Sequence, residues 1–189
     1  MRKQPISRFP VVNVDDLPED IRGHVLALQE KTGFVPNVFL AQAHRPDQCR
    51  AFMAYHDALM ESDSGLTKAE REMIVVATSA ANQCLYCVVS HGAILRIRAK
   101  DPLLADQVAI NHRKADITPR QRAMLDYAMK VALHSAEIEE ADFRALREHG
   151  FSDDDIWDIG AVAAFFAMSN RLANMASMQP NLEFYSMGR

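Results

Sequence analysis

The sequence predicts an all-α protein of about nine helices. No segment alternates polar and apolar residues with the period of two that a half-buried strand needs. Two capping boxes, Thr67-Lys68-Ala69-Glu70 and Thr118-Pro119-Arg120-Gln121, place a hydroxyl cap three residues ahead of a Glu or Gln, the reciprocal pair that opens a helix. Seven glycines and eight prolines in 189 residues are too few for a turn-rich β fold.

Taken in order, residues 1–14 read as an extended arm. Pro5 and Pro10 punctuate it, and Val11, Val12 and Val14 carry no helical period, so it is expected to lie on a neighbour or on the protein's own surface. The run Asp15-Asp16-Leu17-Pro18-Glu19-Asp20 supplies acidic residues and a proline at a helix start. Ile21, Val25 and Leu28 then recur at helical spacing until Gly33. Pro36 starts a short helix to His44, and Pro46 another to about Glu61, ended by Ser62-Asp63-Ser64-Gly65. The Thr67 box opens a helix through Ala81. A helix from 84 to 100 follows directly, with Asn82 expected as its capping residue. Asp101-Pro102 begins the next, and the Thr118 box opens one to about Ser135.

Ile138 to His149 is closed by Gly150, and Ser152-Asp153-Asp154-Asp155 caps a long helix to about Ser177 that Pro180 is expected to stop. Residues 180–189 form a tail with aromatic surface to dock. The whole, 1–189, is expected to be one domain. Leu66 to Ile74 and Ile117 to Leu125 echo each other around the two capping boxes, as a duplicated helical hairpin or a common helix start would.

Composition narrows the function. A net charge of −4 with no lysine or arginine run gives no electrostatic case for nucleic acid or an anionic membrane. The N-terminal Met1 to Pro10 carries positive charge but no apolar stretch behind it, so a cytoplasmic location is expected. Ile159 to Asn170 is too short to span a bilayer and reads as a buried helix. In a reducing compartment, a C-x-x-C is redox-active or metal-binding more often than a structural staple. Cys49, the third cysteine, flanked by Gln48 and Arg50 on a helix, is expected to be structural or on the surface.

The stretch Asn82-Gln83-Cys84-Leu85-Tyr86-Cys87-Val88-Val89-Ser90-His91 carries the chemistry. On a helix, Cys84, Cys87 and His91 at i, i+3 and i+7 project within roughly 60° of one another. Cys84 in the first turn would meet unpaired N–H groups and the positive end of the helix dipole, which favour a thiolate. A thiolate attacking a peroxide oxygen gives a sulfenic acid, and the second thiol of a C-x-x-C converts it to a disulfide. His91 is placed to act as base. Glu72 is the carboxylate free to orient it, because Glu70 serves the capping box.

These residues carry a resemblance. Glu72, then Ser79-Ala80-Ala81-Asn82-Gln83-Cys84-Leu85-Tyr86-Cys87 and Ser90-His91-Gly92, resembles the core motif of the alkylhydroperoxidase D (AhpD-like) family within the carboxymuconolactone decarboxylase superfamily. The ending Phe184-Tyr185-Ser186-Met187-Gly188-Arg189 is similar to the longer, peroxidase-related branch. The resemblance implies an all-α homo-oligomer, as dimer, trimer or hexamer, working without metal or organic cofactor as a thiol-dependent peroxidase. It implies that Cys87 is oxidised by the hydroperoxide and that Cys84 resolves it and meets an external dithiol reductant, with Glu72 and His91 relaying protons. One position departs: Tyr86 stands where characterised hydroperoxide reductases carry a histidine, and a phenol is no base near neutral pH.

Three other readings share these residues. A zinc site would use Cys84, Cys87 and His91 with Glu72 as fourth ligand. A lactone-processing decarboxylase like the superfamily's namesake would not rely on the cysteine pair. A redox-sensing helical module would use the thiols to switch assembly.

Overall fold

The computed structural model describes residues 5–189; residues 1–4 of the expected arm lie outside the described residues. Among the described residues there are nine α-helices and no strand. They are α1 (Glu19–Thr32), α2 (Asn37–Gln42), α3 (Pro46–Met60), α4 (Lys68–Ala81), α5 (Leu85–Ala99), α6 (Leu104–Asn111), α7 (Pro119–His134), α8 (Glu140–Glu148) and α9 (Asp153–Ala176).

The centre of the molecule is α4. Every residue from Glu70 to Ser79 is buried, so beyond its first residues this helix is covered on all sides. It packs on α5, α9, α6 and α7. Met73, Ile74, Val75 and Val76 meet Leu95, Met124, Leu125, Ile159 and Phe166 in the main core. The buried charged residues at the start of α4 have charged or polar partners, Arg71 lying 3.7 Å from Asp158. Glu70 closes the capping box on Thr67 and also pairs with Arg120, while Arg71, with no exposed surface, reaches the Leu59 and Ser62 carbonyls.

Both predicted capping boxes are present, on α4 and α7, and Ser152 with Asp155 forms a third on α9. A fourth, Glu139 with Asp142 on α8, lacks the hydroxyl that signals such a box in sequence. Gly33 ends α1 in the left-handed region at φ 84°, where its N–H reaches the Gln29 carbonyl at 2.8 Å.

Several boundaries differ from expectation. Asp15 and Asp16 belong to a separate single-turn 3-10 helix, Val14–Asp16, and α1 begins after Pro18. Asp101 does not start α6 directly. Its carboxylate accepts the Leu103 and Leu104 N–H groups, and the helix begins at Leu104. Pro180 is not what stops α9. Ser177 turns left-handed at φ 53°, with its N–H on the preceding turn's carbonyls, three residues earlier.

The two chain ends meet. In the arm, Arg8 N–H donates to the Ala176 carbonyl at 2.8 Å, and Gln179 N–H donates to the Ile6 carbonyl at 3.0 Å. The tail docks on α5. Phe184 stands edge-on to Phe34 at 5.0 Å, and Arg96 donates to the Phe184 and Met187 carbonyls.

Candidate active site

The α4–α5 connection is three residues long and shapes the cysteine pair. Asn82 caps the end of α4, and Gln83 takes the left-handed region at φ 53°. Cys84 is itself the N-cap of α5, with its Sγ accepting the Cys87 N–H at 3.5 Å. The expected cap at Asn82 is therefore corrected: the turn is tighter than the apolar pattern suggests, and the sulfur takes the capping role usually filled by oxygen. Cys84 lies outside the helix, not in its first turn. Its sulfur still meets the N–H groups and positive dipole end of α5.

Both thiols are free and buried, 1% and 2% exposed. The Cys87 thiol hydrogen-bonds Cys84, and this bond, with the Cys87 N–H, lowers the Cys84 pKa to about 7 against the opposing effect of burial. The same bond, reinforced by burial, pushes Cys87 up. Of the two thiols, Cys84 is therefore the one favoured to ionise first, with Cys87 keeping its proton.

Behind the sulfurs is an amide network from α9. Asn170, 1% exposed, donates to Ser79 Oγ at 2.9 Å and accepts from Asn82 Nδ2 at 3.0 Å; Asn174 donates to the Asn82 carbonyl at 3.1 Å. Asn170 favours the thiolate at both sulfurs, and Ser169 adds to it at Cys87.

On the other side, a cavity of about 590 Å³ reaches Cys87, Tyr86, His91 and Glu72. His91 Nδ1 donates to Glu72 Oε2 at 2.7 Å, and Glu72 is 2% exposed. This burial is balanced by Arg98, 3.4 Å from the other carboxylate oxygen. Arg98 in turn pairs with Glu61 at 2.7 Å, and Glu61 with Lys68, so the ion pairs run from the site to the surface. Phe166 stands edge-on to His91 at 4.8 Å. The structure thus brings Glu72, Cys87 and His91 onto one cavity and leaves Cys84 enclosed with Ala41, Ala173 and Met178.

Tyr86 is buried with its hydroxyl accepting the Val38 N–H at 3.1 Å, and burial raises its pKa. Cys49 is buried beside Leu17, Ile21 and Val25, its thiol facing Met53 sulfur at 3.7 Å, and burial raises its pKa as well. No group of three or more His, Cys, Asp and Glu among the described residues is spaced to hold a metal ion; Glu72, the fourth ligand of the zinc reading, faces His91 and Arg98 instead.

Two residues that sequence reasoning leaves out of the catalytic set line the site. His56 of α3 borders the cavity, and Asn170 backs the thiols. Asn170 followed an apolar run in the sequence, a local signal of a polar group within a buried helix face. His56 had none, because its neighbours in space come from α5 and α9.

With this geometry in view, comparison with known proteins is specific. Residues 46–102 match the model of the carboxymuconolactone decarboxylase family. A solved structure from Ralstonia eutropha JMP134, described as an alkylhydroperoxidase AhpD core and uncharacterized peroxidase-related protein, is 69% identical, with 98% of each chain covered and a TM-score of 0.97. An uncharacterized peroxidase-related protein from Silicibacter sp. TM1040 is 43% identical, covering 100% of this chain and 99% of its own, with a TM-score of 0.94. The debrominase Bmp8 shares the fold at a TM-score of 0.79, with 18% identity over 100% of this chain and 98% of its own. No curated protein matches the chain. The chain belongs to the AhpD-like branch of the carboxymuconolactone decarboxylase superfamily.

Proposed function

We propose that the protein is a thiol-dependent peroxidase that reduces hydroperoxides through a Cys84–Cys87 dithiol/disulfide cycle. The observation that carries this reading is that Cys87 and the His91–Glu72 pair open onto one cavity, while Cys84 stands against Cys87 as the more acidic thiol. The family and its peroxidase-related members support it.

In the resting dithiol the charge is on Cys84. When a hydroperoxide ROOH occupies the cavity, the Cys87 proton passes to Cys84, and the Cys87 thiolate attacks the terminal oxygen. The S–O bond forms, the O–O bond breaks and RO⁻ leaves. His91, oriented by Glu72, delivers the proton that turns RO⁻ into ROH. Cys84 then attacks the sulfenic sulfur, and its proton leaves with the displaced hydroxide as water. The balance is one monoanionic dithiol, one ROOH and one proton to one disulfide, ROH and water. The two electrons lost by sulfur are restored by an external dithiol through exchange. A dithiol kept reduced in this way suits the cytoplasm.

Thiol titration and intact mass after one equivalent of hydroperoxide test the reading. Loss of two thiols and about two mass units, absent in Cys87→Ser, is expected on conversion to a disulfide. Persistence of both thiols alongside unreacted peroxide would overturn it.

A second reading rests on the cavity wall, which includes the aromatic rings of Phe39, Phe52 and Phe166. The fold is shared with a debrominase, so a halogenated aromatic is the alternative oxidant for the same dithiol. Release of bromide with disulfide formation distinguishes it. Activity surviving loss of both cysteines would favour the decarboxylase reading, and oxidation that changes assembly without turnover would favour a redox-sensing module.

A further inference from the structure

The cavity holds a second imidazole–carboxylate pair. His56 Nδ1 lies 3.0 Å from Asp57 Oδ1, just as His91 Nδ1 lies 2.7 Å from Glu72 Oε2. The two pairs come from different helices, and their rings face each other at 6.4 Å between centroids. Both line the same cavity as Cys87. In each ring the hydrogen bond uses Nδ1, which leaves Nε2 as the nitrogen available to a guest. His56 is further seated by Phe52, Phe165 and Phe166, with centroids at 6.2 to 6.4 Å.

The chemistry of that free nitrogen follows from its surroundings. Asp57 accepts from Nδ1, so the neutral ring carries its proton there and presents a lone pair at Nε2. Burial disfavours the imidazolium and lowers the His56 pKa; His91 adds to this, while Asp57 and Glu72 oppose it. The other charged groups on the cavity are Glu61, Arg98 and, from α1, His24 and Lys31; α9 presents only Phe166, Ser169 and Ala173. A neutral acceptor therefore sits on a largely apolar wall opposite the proton-delivering pair. A hydroperoxide has one group that such an acceptor recognises, its terminal O–H. Neither a dialkyl peroxide nor an azo oxidant offers it.

We propose that His56 is a further substrate-contacting residue of this site, whose Nε2 accepts the hydrogen bond of the hydroperoxide O–H and so aims the terminal oxygen at Cys87. The inference rests on the peroxidase reading and adds to it a recognition element on α3. His56 takes no proton in the reaction: the O–H hydrogen remains on the oxygen transferred to Cys87, and His91 serves the departing alkoxide.

The test compares wild type, His56→Leu and His56→Gln, two substitutions of similar size of which only Gln retains an acceptor. The rate of Cys84–Cys87 disulfide formation is followed by quenched mass spectrometry with cumene hydroperoxide, and in parallel with diamide, a thiol oxidant lacking an O–H. The expected result is a hydroperoxide rate about threefold to tenfold lower in His56→Leu, the loss of one neutral hydrogen bond. His56→Gln recovers most of it, and the diamide rate is the same in all three proteins. The ratio of hydroperoxide to diamide rates in wild type falls as the pH drops below the ordinary histidine value of about 6.5, and this acid limb is missing in His56→Gln. An unchanged ratio in His56→Leu, equal loss in both variants, or parallel loss with diamide would overturn the proposal. A wild type that forms the disulfide with diamide but not with hydroperoxide would overturn the peroxidase reading and this inference with it.

Discussion

The hydroxyl of Tyr86 accepts the backbone N–H of Val38 at 3.1 Å, so the residue before the second cysteine fastens α5 to the first turn of α2. At this position, where hydroperoxide reductases of the family carry a histidine, the phenol has a structural partner and no proton to exchange near neutral pH. Tyr86→Phe should leave Val38 N–H without its partner and cost about 1 kcal/mol of stability. Denaturant unfolding should record that loss while the rate of peroxide-driven disulfide formation stays within about twofold, a difference far below one general acid–base contribution.

Glu72→Gln should slow disulfide formation by hydroperoxide roughly 100-fold, the low end of what positioned proton transfer contributes. The amide keeps contact with His91 but removes the carboxylate that fixes Nδ1 as donor. Alkylation of Cys84 by iodoacetamide should change little, because the leading cause of its lowered pKa is the Cys87 thiol, and Glu72 is not among the causes. Stopped-flow oxidation and alkylation rates on the same samples check both halves.

The Cys84 thiolate should show in pH profiles. Alkylation of wild type should be half-maximal near pH 7, since the Cys84 pKa is lowered to about 7. In Cys87→Ala the leading cause of the shift is gone and the midpoint should move upward. The linked stability has a definite sign. Between the folded value of about 7 and the ordinary thiol value of 9.0, the unfolded chain binds more protons at Cys84, so stability rises with pH across that window. Above 9.0 the raised Cys87 reverses the slope. Thermal unfolding against pH should show a maximum near the crossover, and Cys84→Ala/Cys87→Ala should flatten it.

Asn170→Ala removes the amide that bridges Ser79 and Asn82, leaving both polar groups short of a partner inside the protein. The cost should be about 1–3 kcal/mol for the unsatisfied groups. The same variant should raise the alkylation midpoint of Cys84, which Asn170 helps to lower. A stability loss with no change in midpoint would make Asn170 purely a packing residue.

The helices were legible where the signal is local. Thr67 with Glu70, Thr118 with Gln121 and Ser152 with Asp155 are reciprocal bonds within one turn, and each opens a helix where expected. The register of Cys87 and His91, and the pairing of His91 with Glu72, were also legible, since all lie on one hairpin. The cap at Cys84 was not, because two polar residues, Asn82 and Gln83, mimic a helix start and only the left-handed Gln83 shifts it onward. His56 and Asn170 stay outside the catalytic set read from sequence for a different reason: they reach the site from α3 and α9, through contacts between residues far apart in sequence.

Those distances also order the protein's assembly. The hairpin of Glu72, Cys87 and His91 closes a short loop and can form early, whereas Ile6 meets Gln179 only once the chain has been made through Gln179. Ile6 and Met178 pack against the buried cysteines. During synthesis the dithiol hairpin can therefore be built before Ala173 and Met178 arrive to cover it, which leaves Cys84 open to oxidants in the nascent chain.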